Sequence, residues 1–133
     1  MKFVLDTSGY IAFAQGNPAV VTAIRHAEVV FVPVTVYAEL TYGFYKGTKT
    51  AENLASLEQF LAVERVQLVE TDEKMAEVYG RLRVSQEAAG KVLAPNDLWI
   101  AAACLYLGLP LLTTDSDFRV VQALELVQLD NEH

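Results

Sequence analysis

Four acidic residues stand where an α/β protein would gather carboxylates at one place. Asp6 closes the run Lys2-Phe3-Val4-Leu5, and Asp115 closes the run Leu109-Pro110-Leu111-Leu112-Thr113-Thr114. Glu39 lies in VTVYAEL, just after the apolar run Val29-Val30-Phe31-Val32-Pro33, and Asp97 lies in PNDLWIAAA at the start of an apolar helix. If the runs are parallel strands, acids that follow strands and acids that open helices share one rim of the sheet. Unpaired carboxylates in one pocket repel each other unless cations neutralise them. Hard, oxygen-liganded cations such as Mg²⁺ are the natural occupants, and the chemistry they bring is metal-assisted phosphoryl transfer.

Each acid also has a plain structural use. Asp6 before Thr7 and Ser8 suits a helix cap or a turn, Asp97 complements a helix dipole, and Asp115 can cap a helix beginning at Ser116. Glu39 is harder to place so, because Val36-Tyr37-Ala38-Glu39-Leu40-Thr41-Tyr42 is an apolar and aromatic neighbourhood in which an ionised carboxylate needs a partner. The rest of the chain offers no competing chemistry. Cys104 has no plausible catalytic partner nearby in sequence and suits a small core position; His26 and His133 do not make a metal-binding pair; no glycine-rich phosphate loop is present.

The elements that must position these acids follow from the alternation of apolar runs with helical patterns, which argues an α/β fold with a largely parallel sheet. Strands are expected over 2–6, 29–33, 66–69, 110–114 and 125–129. Helices are expected from Thr7 or Ser8 to about Ala14, from Pro18 to about Ala27, from a Thr35 cap to about Lys46 and over 51–63. Further helices are expected from Thr71 to about Ala88, from Pro95 to about Leu107 and, as a short one, over 116–122. Residues 90–94 read as a loop, and the last few residues are expected to fray.

A chain of 133 residues with 53% hydrophobic content fits one domain, 1–133, with a core of its own. One cysteine, no secretory signal pattern and no membrane-length apolar run lead to the expectation of a cytoplasmic protein. The net charge of −7 is not the basic footprint usual for nucleic-acid binding. Bound divalent cations would offset part of it, and an acidic surface suits a basic protein partner.

Taken together, LDTS, YAEL, PNDLWIAA and LLTTDSDF resemble the PIN-domain ribonucleases, and within them the VapC-type toxins of toxin–antitoxin pairs. The resemblance runs from Lys2 to about Leu129 in the family's order and spacing. It implies a three-layer α/β/α PIN-like domain and a Mg²⁺- or Mn²⁺-dependent endoribonuclease. It implies catalytic acids at Asp6, Glu39, Asp97 and Asp115, and metal ligation by Asp6, Asp97, Asp115 and Asp117. Asp115 and Asp117 stay unranked as the closer ligand. Thr7, Ser8, Asn96 and Thr113 match positions that support the metal site. An RNA substrate, a cognate antitoxin, a homodimer and no membrane association complete the expectation. The alternatives are an RNA-processing nuclease outside a toxin pair, a receiver-type domain phosphorylated on Asp6, and a catalytically silent binding module. Lys46, Lys49, Arg81, Arg83, Lys91 and Arg119 are candidate phosphate contacts, or plain surface charges.

Overall fold

The structure is a computed structural model that describes residues 1–129. The fraying expected at the chain end and the position of His133 lie outside the described residues. Strands β1 (Lys2–Leu5), β2 (Val29–Pro33), β3 (Val66–Val69) and β4 (Leu111–Leu112) form one sheet in the order β3-β2-β1-β4. All three pairings are parallel, with Val4 of β1 opposite Phe31 on one side and Leu111 on the other. Successive side chains on a strand point to opposite faces. Phe3, Val4 and Leu5 are all fully buried, so both faces of the central strand are covered. That is the three-layer arrangement expected of a parallel sheet.

Among the described residues six α-helices supply the cover: α1 (Thr7–Ala14), α2 (Pro18–His26), α3 (Val34–Lys46), α4 (Thr50–Leu61), α5 (Glu73–Ala89) and α6 (Pro95–Leu107). In α6, Leu98, Ile100, Ala101, Ala102, Ala103 and Cys104 are all buried. Its alanines keep it slim enough to lie against β1 on one side and α5 on another. Cys104 is a core residue, as its setting in the sequence suggested. Tyr10, Phe13 and Phe60 form an aromatic cluster between α1 and α4, with the Tyr10 and Phe60 rings edge to face at 5.3 Å.

Several local expectations are corrected. Strand 110–114 shrinks to Leu111–Leu112: Pro110 has no N–H to give a ladder, and beyond Leu112 the chain enters the site described below, where Thr113 bonds Asp6 through its side chain. The helix over 116–122 is a 3₁₀ turn over Ser116–Val120, and the strand over 125–129 reduces to one parallel bridge, Leu111 to Leu126. Thr35 does not cap α3: the cap position is Pro33, and the buried Thr35 hydroxyl has no hydrogen-bond partner among the described residues. Helix α5 is capped by Asp72, one residue beyond the expected Thr71, through a 2.8 Å bond from the Met75 N–H.

Candidate metal centre and cleft

The chain lays β1, β2 and β3 outward in one direction, then places β4 on the other flank of β1. In open parallel sheets the crevice at such a reversal, outside the carboxyl ends of the strands, is where ligands bind. Asp6 follows β1 directly, and Thr113 to Asp115 follow β4, so both segments open onto this crevice. Asp6 caps α1: its Oδ1 accepts from the Gly9 N–H at 2.7 Å and from the Ser8 hydroxyl at 2.9 Å. Thr113 donates its hydroxyl to the other carboxylate oxygen. The Thr114 N–H donates to Ser8 Oγ, and the Asp115 N–H donates to Thr113 Oγ1, each at 3.0 Å. Two hydroxyls thus tie the ends of neighbouring strands together around one carboxylate. Asp6 is only 3% exposed, and burial raises its pKa. The donors Thr113, Gly9 and Ser8 pull it back down, and the charge of Asp115 pushes it up again.

Gly9 was not anticipated as part of this arrangement. A Cβ there would sit 2.7 Å from Leu5 Cδ1 and 2.8 Å from the Leu112 carbonyl oxygen, so only glycine lets α1 start this close to β1 and β4. The signal in the sequence is a glycine in the first turn of a helix, a choice that costs about 1 kcal/mol against alanine and so calls for a packing reason.

The other acids come from α3, α6 and the segment after β4. Glu39 is half-buried on α3; its Oε1 accepts from Thr7 Oγ1 at 2.7 Å and its Oε2 from Asn96 Nδ2 at 3.3 Å. Both partners orient it and neither neutralises it. Asp97, in the first turn of α6, has its pKa pushed up to about 6. Burial is the main cause, followed by the charges of Asp115, Glu39, Asp6 and Asp117. Asp115 accepts from the Asp117 N–H at 2.9 Å, which caps the 3₁₀ turn.

Asp97, Asp115 and Asp117 each offer a carboxylate oxygen, and these three atoms lie within 4.8 Å of one another. Asp6 and Glu39 fall outside that trio, although both act electrostatically on Asp97. Thr7, Ser8, Asn96 and Thr113 each hydrogen-bond an acid of the cluster. The capping uses of Asp6 and Asp115 are present as well, alongside their place in the cluster. Among the described residues none of these five acids has a Lys or Arg within ion-pair distance; the three ion pairs found lie elsewhere, with Arg81 on Glu77 and Arg83 on Glu87. Uncompensated carboxylates around a pocket are the donor set of a hard divalent cation, so the residues present fit one.

A cleft of about 280 Å³ leads from this trio, with Asp97 and Asp117 on one side and Lys91, Leu93 and Val120 among its other walls. A larger hollow of about 650 Å³ lies at the opposite, amino edge of the sheet, between α2 and residues 125–129. It contains none of the clustered acids. The smaller cleft is thus the one that clustered acids border.

The chain belongs to the PIN-domain family: the family's pattern matches residues 3–124. It is 33% identical to Ribonuclease VapC5 of Mycobacterium tuberculosis over 129 residues, covering 95% of this chain and 92% of that protein. The fold superposes on a VapBC2 structure from Rickettsia felis bound to a DNA fragment from its promoter, with TM-score 0.85 and 26% identity over 98% of this chain and all of that one. It also superposes on VapBC-5 from Mycobacterium tuberculosis, a member of a toxin–antitoxin family, with TM-score 0.76 and 30% identity over 96% of this chain and 98% of that one. No helix among the described residues is long and apolar enough to cross a membrane.

Proposed function

We propose that residues 1–133 act as one PIN domain, a Mg²⁺- or Mn²⁺-dependent endoribonuclease of the VapC type, held inactive in the cytoplasm by a cognate antitoxin. The observation that carries this reading is the trio Asp97, Asp115 and Asp117, uncompensated by any cation among the described residues and set at the sheet's reversal point. The ribonuclease name of a relative 33% identical across nearly the whole chain supports RNA as the substrate.

In this reading Asp97, Asp115 and Asp117 hold the cation, with Asp6 behind them. A bound divalent cation supplies Lewis acidity for phosphodiester hydrolysis. Glu39, held in one direction by Thr7 and Asn96 and with no Lys or Arg beside it among the described residues, is suited to orient a water and take its proton. Asp6 has its oxygens committed to Gly9, Ser8 and Thr113, so it fixes the floor of the site and contributes negative charge to it. No side-chain nucleophile is called for.

An antitoxin is supported by the toxin–antitoxin complexes among the structural relatives, and a homodimer is part of the same proposal. The net charge of −7 favours a basic partner. Tyr42 and Tyr45 on α3 are 65% and 68% exposed and suit an apolar partner helix, whereas Phe44 packs against the core. The test is cleavage of total RNA by the purified chain with Mg²⁺ or Mn²⁺, with chelator, and as Asp97→Asn. Cleavage that needs the metal and disappears in the variant is expected. Cleavage that persists in chelator, or in Asp97→Asn, overturns the assignment. A genomic neighbour that binds the chain and stops cleavage supports the toxin role; one that does neither sinks it.

A further inference from the structure

Gln86 is one of the two buried polar or charged side chains of the described structure; the other is Asp6. It lies on α5, on the far side of the chain reversal that leads into α6. Its side-chain oxygen accepts from the Leu93 N–H at 2.8 Å, and its backbone carbonyl accepts from the Lys91 N–H at 3.1 Å. Gly90, at φ 73°, makes the left-handed turn between them, and its own N–H donates to Glu87 O. One residue therefore grips the reversal at two points. The same reversal forms a wall of the cleft beside Asp97 and Asp117, and Lys91 is the one cation lining it among the described residues.

We infer that Gln86 is a positioning residue, and that through it the 91–94 segment presents Lys91 to a substrate phosphate at the mouth of the cleft. The inference rests on the proposed RNA cleavage and adds to it the point where the RNA backbone is held. The other charged residues lining the cleft, Asp97 and Asp117, are acids, and an RNA chain approaching them needs a compensating charge on its own path. Lys91 is exposed and supplies it. Burial of Gln86 makes its amide costly to leave unpaired, so the Leu93 bond is a fixed point and not a surface accident. Leu93 itself is buried and anchors the segment from below.

The experiment compares Lys91→Ala, Gln86→Met, the double variant and Gln86→Glu, which keeps an acceptor oxygen. Steady-state cleavage of an RNA hairpin is measured across a salt series, together with amide exchange at Leu93. Lys91→Ala is expected to raise KM about 2- to 5-fold with kcat unchanged, the scale of one exposed ion pair. The slope of log KM against log salt should fall by about 0.7 to 0.9, the signature of one lost phosphate contact. Gln86→Met should give the same KM rise and slope change and accelerate exchange at Leu93, while Gln86→Glu keeps Leu93 protected. The double variant should be no worse than Lys91→Ala alone, because Gln86 acts through Lys91. Additive losses, an unchanged salt slope, or a fall in kcat instead of a rise in KM overturns the inference. Lys91→Ala changes an exposed side chain and folds whatever happens at Gln86, so a wild-type KM in that variant is sufficient refutation. A wild-type chain inert toward total RNA would instead refute the proposed function itself.

Discussion

Replacing Asp97 by asparagine should make the metal-free protein more stable at neutral pH. Asp97 has a folded-state pKa of about 6 against an ordinary value of 3.8. A raised carboxyl pKa means that the folded state binds the proton more tightly than the unfolded one. Stability is therefore lost as pH rises from about 4 to 6, and it stays lost above that. At 1.36 kcal/mol per pKa unit the full shift is worth about 3 kcal/mol. Asp97 is partly exposed, and screening by solvent reduces this to about 1–2 kcal/mol. With an unfolding entropy of about 2.1 cal/mol/K per residue, 1 kcal/mol corresponds to about 3.6 °C for a chain of this length. Asp97→Asn should thus melt about 4–7 °C above the wild type in chelator at pH 7.5. The gap should narrow as the pH falls toward 4 and vanish below that, where Asp97 is protonated in both states. Adding Mn²⁺ should reverse the order, since a ligand at 100 times its Kd adds about 2.7 kcal/mol to the protein that can bind it. Calorimetric melts over pH 4–8, with chelator and with Mn²⁺, measure all three. A variant that melts below wild type in chelator at pH 7.5, or a gap that ignores pH, would refute the picture of Asp97 as an uncompensated charge.

The remaining expectations concern the same network. Gly9→Ala should destabilise the protein by about 1–3 kcal/mol, the usual cost of overpacking, read from urea melts, because its Cβ meets backbone at Leu112 as well as a side chain. Asp115→Asn should bring the Asp97 pKa down, since Asp115 is its largest charge neighbour; carboxyl NMR titration checks this, and an unmoved titration would place the whole effect in burial. Thr113→Val should raise the Asp6 pKa further by removing the strongest of the bonds that lower it, and should cost about 1 kcal/mol of stability at neutral pH.

Three of the acids could be found in the sequence because each sits at an element boundary with a strong pattern: Asp6 and Asp115 end apolar runs, and Asp97 lies just after Pro95; Glu39, inside α3, stood out by its apolar setting instead. The parallel sheet and all six helices were legible for the same reason, with most boundaries close to those observed. Less legible was anything set by contact across the fold. No periodicity gives the strand order, so only the family resemblance, and no local pattern, brings Ser8 and Thr113 to one site. The early end of β4 is not marked in the run 110–114, and Thr35 reads as a cap although its hydroxyl is buried without a partner among the described residues. Gln86 sits in a helix of low overall hydrophobicity and looks like one more surface residue until Leu93 folds back onto it.

The bond from Thr113 to Asp6 joins residues 107 apart, close to the two ends of the chain. During synthesis at 5–20 residues per second, the interval between the appearance of one partner and the other is roughly 5 to 20 s. Through that interval the first strand has no neighbour on its β4 flank, and the trio lacks Asp115 and Asp117. In the proposed reading, a nascent or truncated polypeptide therefore lacks the acids needed to cut the RNA that surrounds it on the ribosome. Activity, in the proposed reading, arrives only with the last segment to be made. For a protein that would attack its own host's RNA, that order of assembly is a safeguard written into the connection between the strands.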